Sequence, residues 1–280
     1  NYFKLFNLLK KNISLCSMCK VLKIHADDYG YSENISQNIL DCYKNGIINS
    51  LSVMIDTSDK LINKLVNANI ENISLHLNLT SLASVNNKED EEFLKSLSFT
   101  KLFFLRNKKK EICKKEIDHQ IRKFTKHFSN KDLRIDGHHH IQIIPWIFKY
   151  LINNYSDEIK SIRIPNEKLI LLDLKYFFKL TFYRNLFASI VLKVMCRNIL
   201  HHSKVRFAGL LYSGIYDKKS LQQHLNILQK SKLDSEITFH PGTGLESEKN
   251  YFKKSHFKYV SSKNRKNEYL LLINDKNSAF

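Results

Sequence analysis

The stretch VLKIHADDYG, residues 21–30, decides how this chain is read, because an apolar run stops there at two adjacent carboxylates and a glycine. A short apolar run closed by polar residues and a turn former is the pattern of a buried parallel strand and its exit. Asp27 and Asp28 therefore stand at a strand's C-terminal end. Side chains alternate along a strand, so the two acids are expected to point apart and to do different work. The blander account is a solvated turn or a helix N-cap, where Asp is common.

Two further strand-like runs weigh against the blander account. Residues 73–77 deliver His76, and residues 133–135 run into DGHHH at 136–140. Three strands thus end in carboxylates or imidazoles, and in α/β barrels the strand ends are where catalytic groups gather.

The segments HADDYG (25–30), HLNLT (76–80), DGHHHIQ (136–142), RIP (163–165), GLLYSG (209–214) and ITFHPG (237–242), in this order, resemble the YdjC family of carbohydrate deacetylases over roughly residues 20–270. The resemblance implies an α/β fold, an irregular (β/α) barrel resembling a TIM barrel, with a helical insertion near residues 169–200. It also implies metal-dependent removal of acetyl groups from N-acetylated sugars, of the chitooligosaccharide type or a related glycan or glycolipid. Asp28, His76 and His138 are assigned as the ligands of a divalent metal ion, Asp28 and His138 standing at the metal-binding positions of the family's pattern, with Mg²⁺ first and Zn²⁺, Mn²⁺ or Co²⁺ as alternatives. One carboxylate and two imidazoles leave positions open for water and substrate, as a catalytic rather than a structural site does.

By analogy with other sugar deacetylases, Asp27 takes the general-base role, Arg163 keeps it ionised and oriented, and His240 is the general acid. Asn78 and His140 are expected toward substrate, while His139 is expected on the opposite side of its strand. Tyr29 stands where the family usually has Phe, and Gly137 where it mostly has Ser. The loop after Thr80 has no counterpart in the pattern.

The 280 residues suit one domain, taken as 21–280, after a basic, acid-free extension at 1–20. That extension is read as a short helix, with organelle targeting as the alternative. A net charge of +18 would ordinarily suggest nucleic acid or an anionic membrane. Lysine is spread along the whole chain, however, so coding bias is the simpler cause and no nucleic-acid partner is expected. Five cysteines give no disulfide framework, and Cys16 and Cys19 form a lone CxxC without a second pair. A reducing, cytoplasmic location follows, with a homodimer as the candidate assembly.

Charged residues interrupt 169–200, so no transmembrane span is expected; a helix packed on the barrel is the reading, with membrane-surface attachment as the alternative. Along the chain, Asn34 is expected to cap a first helix, 47–55 to form the second strand, and 81–92 to be a loop over the strand ends. Residues 249–266 are read as an amphipathic final helix with a solvated basic face. Two rivals share part of these features: a non-haem iron oxygenase, which uses the same ligand types, and a catalytically silent basic binding protein.

Overall fold

In the computed structural model, which describes residues 20–80, 88–252 and 254–273, the apolar runs become seven strands. They are β1 (Leu22–Tyr29), β2 (Ser50–Val53), β3 (Ile73–Leu77), β4 (Leu133–Gly137), β5 (Ile159–Ile162), β6 (Val205–Ala208) and β7 (Asp234–Phe239). Every pairing is parallel, in the order β5-β4-β3-β2-β1-β7-β6. Parallel neighbours need long crossovers, and helices supply them. These are α1 (Glu33–Asn45), α2 (Asp59–Asn67), α3 (Lys88–Ser96), α4 (Phe99–Phe103), α5 (Asn107–His127), α6 (Pro145–Tyr155), α7 (Leu180–Cys196), α8 (Lys218–Gln229), α9 (Lys254–Val260) and α10 (Lys263–Ile273).

The sheet curls into a half-barrel with β5 and β6 as its edges. Among the described residues those edges do not pair, so the sheet is barrel-like but open. Strands β1 to β3 bury nearly every side chain, as strands covered on both sides must. Parallel order also puts all strand C-termini at one end, where the polar residues after each apolar run collect.

Local chemistry moves several expected boundaries. Ser32, not Asn34, caps α1: its backbone is extended (φ −152°) and its hydroxyl accepts from Ile35 N–H, while the Asn34 amide donates to Thr243 O. The second strand shrinks from 47–55 to Ser50–Val53. Residues 88–92, expected as loop, open α3, which Leu94 anchors in the core; residues 81–87 lie outside the described residues, as do 1–19 with Cys16 and Cys19. The expected final helix divides into α9 and α10 at Ser261 and Ser262, where the Ser261 hydroxyl bonds back to Phe257 O.

One buried titratable group away from the strand ends makes the fold acid-sensitive. His224 of α8 is buried, its Nδ1 is 2.6 Å from the Tyr216 hydroxyl, and burial pulls its pKa down to about 4. A base whose pKa is lowered by folding costs stability as pH falls through its unfolded value of about 6.5 toward 4, at ~1.4 kcal/mol per unit. We expect His224→Gln to remove about 2–3 kcal/mol of the stability difference between pH 6.5 and 4.5. Urea unfolding of both proteins at the two pH values measures this, and equal pH dependence would show that His224 does not titrate in that window.

Candidate active site and metal centre

The turn out of β1 brings Asp27 and Asp28 to one cluster instead of separating them. Asp28 adopts φ 75°, a left-handed conformation that Asp tolerates better than most residues, and this breaks the strand's alternation. The expectation that the two acids face opposite ways is corrected accordingly. What divides them is their partners.

Asp28 Oδ1 lies 3.3 Å from His76 Nε2 and 3.2 Å from His138 Nδ1, while its Oδ2 accepts a 2.6 Å bond from Arg265 Nη1. One carboxylate oxygen is therefore committed to an arginine, and the other faces two imidazoles. Burial favours the neutral carboxyl, but Arg265 and the two histidines hold Asp28 well below the usual range. Asp136 orients His76 through a 2.5 Å contact between Oδ1 and Nδ1, which turns Nε2 toward Asp28. Burial alone would lower the His76 pKa; its bonds to Asp136 and Asp28 push it up to about 10.

Asp27 belongs to a second network. Arg163 Nη1 donates to both Asp27 oxygens at 2.9 Å, its Nη2 is 3.1 Å from Asp136 Oδ2, and its Nε is 2.5 Å from Glu236 Oε1. The Ser52 hydroxyl, 3.1 Å from Asp27 Oδ1, is also 3.1 Å from His76 Nδ1, so the two networks touch. Burial pushes the Asp27 carboxyl up, and Arg163 with His25 more than reverses it, to well below the usual range. His240 Nε2 approaches Asp27 Oδ2 at 3.7 Å from the β7 exit, and its side chain is partly exposed.

The charge count of this pocket suits a dication. Asp27, Asp28, Asp136 and Glu236 face only two arginines, Arg163 and Arg265, and the remaining cation is the His76 imidazolium, whose proton a metal ion bound beside Asp28 would displace. Asp28, His76 and His138 offer donor atoms within 4.8 Å of one another. Two ligands each ~2.1 Å from a metal stand about 3.0–3.4 Å apart, the spacing seen between Asp28 Oδ1 and either imidazole. His25, Asp27 and Asp136 form a second such group. A guanidinium already bridges Asp27 and Asp136 there, so the first group is the better cation site.

Beyond Gly137 the chain leaves the strand. His139 and His140 take φ 56° and 57° within a 3₁₀ turn, His138–Ile143. Alternation therefore does not govern where these histidines point, and the strand-face reading of His139 and His140 is corrected on that ground. His138 turns to Asp28. His139 is exposed, its ring 4.1 Å from that of His138. His140 is buried against Phe207 with Nδ1 unpartnered, and burial with Arg163 nearby pulls its pKa down to about 3. Asn78 is buried at the end of β3, where its amide oxygen accepts from Thr80 N–H and its amide nitrogen lies 3.6 Å from Met54 Sδ.

Several residues of the cluster were not foreseen: Asp136 as the partner of His76, Ser52 and Glu236 as partners of the Asp27 network, and above all Arg265. The solvated basic face expected for 249–266 is wrong at that position, since Arg265 is 1% exposed and pairs with Asp28. Its Nε also donates to Gly242 O, 2.9 Å away. One turn on, Glu268 accepts from the backbone N–H of His240 and of Gly214, both at 2.5 Å. Helix α10 thus braces both Asp28 and the His240 segment from beneath.

Comparison with known proteins shows the family and the fold. A family model described as YdjC-like protein matches residues 21–280. A carbohydrate deacetylase of Danio rerio is 26% identical over 156 residues, covering 52% of this chain and 50% of that protein, so the chain spans about half the length of this curated relative. A crystal structure from Enterococcus faecalis, of a protein assigned to cellobiose-phosphate cleavage, shares the fold with TM-score 0.61 over 92% of each chain at 17% identity.

Proposed function

The chain belongs to the YdjC-like family, and from that premise we propose that it is a metal-dependent hydrolase that removes acetyl groups from N-acetylated sugars. The observation that carries this reading is the convergence of two imidazoles on one oxygen of Asp28, inside a buried pocket with more carboxylates than arginines. The curated relative is a carbohydrate deacetylase, which supports the substrate class. We take chitooligosaccharide-type sugars or a related glycolipid as substrate, and the half-barrel as an irregular form of the (β/α) barrel.

In this proposal Asp28, His76 and His138 hold a divalent ion, which when bound lowers the pKa of a water and polarises the acetyl carbonyl. Magnesium is the first expectation from the resemblance; two nitrogen donors weigh toward zinc or cobalt. Asp27 is the base that takes the water's proton as its oxygen bonds to the acetyl carbon. Arg163, gripping both Asp27 oxygens, keeps the carboxylate ionised and aimed. His240, partly exposed and beside Asp27, gives a proton to the departing amine nitrogen as the C–N bond breaks, leaving acetate and a free amino sugar. His140 contributes to the substrate side, and Asn78 sets the loop that leaves β3 there. The parallel sheet also suits this reading better than a non-haem iron oxygenase, whose usual scaffold is a jelly roll.

Three buried free thiols, Cys42, Cys113 and Cys196, support a reducing compartment. The test of the activity is acetate release from N-acetylated mono- and oligosaccharides by stripped protein supplied with Mg²⁺, Mn²⁺, Co²⁺ or Zn²⁺. We expect release with at least one metal and none after chelation. Oxygen-dependent turnover, or silence across the panel, would contradict the proposal.

A further inference from the structure

Helix α7 is apolar on two opposite sides. Its inner side, Phe182, Asn185, Ser189, Leu192 and Cys196, is buried against α6 and the segments that leave β4, β5 and β6; Asn185 donates to Leu211 O and Ser213 O, and Leu192 and Cys196 pack on Ile143, Phe148 and Ile164. At 3.6 residues per turn the opposite side is Leu180, Tyr183, Phe187, Ile190, Val191 and Val194, and all six are exposed. Leu180 is 89%, Phe187 71% and Val194 68% exposed, and Phe178 just before the helix is 91% exposed. Water-facing stripes of this kind mark an interaction site.

The charges beside the stripe say what covers it. No Asp or Glu occurs between Asp173 and Asp217, while seven Lys or Arg do. Arg184 lies on one flank of the stripe, Lys193 and Arg197 on the other, and among the described residues no carboxylate pairs with any of them. A two-fold contact would set this patch against itself, cation on cation with no anion to relieve it, in a chain of +18. An anionic lipid surface takes both features, burying the apolar side chains at the headgroup boundary while phosphates and carboxylates meet the flanking cations. No helix among the described residues is long and apolar enough to cross a membrane.

We propose that the outer face of α7 is a membrane-docking surface that lies in the interface of an anionic bilayer. This goes beyond the deacetylase reading and does not depend on it. The test is flotation of the full chain with vesicles of phosphatidylcholine alone or with about 30 mol% phosphatidylserine, at low and high salt. The chain should float with the anionic vesicles, less at high salt, and not with phosphatidylcholine alone. The triple variant Leu180→Ser, Phe187→Ser, Val194→Ser should bind about tenfold or more weakly with an unchanged circular dichroism spectrum, because all three side chains are exposed. The variant Arg184→Gln, Lys193→Gln, Arg197→Gln should lose the preference for the anionic lipid. Absence of binding by the unaltered chain, or binding by both variants as strong as that of the unaltered chain, would overturn the proposal. So would a sedimentation-velocity dimer that the Ser variant converts to monomer, since the face would then be an interface between copies.

Discussion

Asp28→Asn is expected to lose bound metal and deacetylation together, whereas Asp27→Asn keeps the metal and loses on the order of 10²- to 10⁴-fold in rate. The two acids are adjacent, but their surroundings differ in kind. Asp28 Oδ1 is the atom both imidazoles face, and an amide there cannot replace an anionic ligand. Asp27 is gripped by Arg163, so Asn at that position leaves the Asp28 group standing and removes only the proton acceptor. Metal analysis and single-turnover kinetics of both variants decide it. Loss of metal in Asp27→Asn with retention in Asp28→Asn would exchange the two roles.

Arg265→Leu is expected to cost about 3–5 kcal/mol of stability, because it strands a buried carboxylate without its counter-charge. The loss has a second part: Gly242 O would lose the donor it now has in Arg265 Nε. Arg265→Lys should recover part of the stability, since an ammonium restores the charge but not the fork that serves Asp28 and Gly242 at once. Metal affinity should fall about ten- to hundredfold in Arg265→Leu, as it does when a ligand's orienting partner is removed. Denaturant unfolding and equilibrium metal binding read the two effects separately. An Arg265→Leu protein as stable as the unaltered chain would show that the pair with Asp28 adds nothing to the fold.

The strand-end logic of residues 21–30, 73–77 and 133–140 was legible because buried parallel strands are apolar throughout and stop at polar residues. The parallel order then brings those stops together. Boundaries were less legible where a capping side chain decides them, as at Ser32. Left-handed backbone at Asp28, His139 and His140 was not legible, since nothing local in DDYG or GHHH marks the residue at which alternation ends. Arg265 was hidden by its setting: a basic residue on a lysine-rich C-terminal helix reads as solvated. A usable signal existed. Arginine accounts for eight of the 45 basic residues, so where lysine is the default an arginine carries information. Arg163 and Arg265 are the two that grip the buried carboxylates.

Asp28, His76 and His138 are expected to hold a divalent ion, and the neighbouring His139 is not. Titrating stripped protein with Mn²⁺ or Zn²⁺, in the unaltered chain and in His76→Ala, His138→Ala and His139→Asn, tests it most directly. Asn is chosen at 139 because it tolerates the left-handed backbone there. We expect one ion bound per chain, unchanged affinity in His139→Asn, and about tenfold or greater weakening in each of the other two. Equal weakening in His139→Asn, or an unaltered chain that binds no ion, would contradict it.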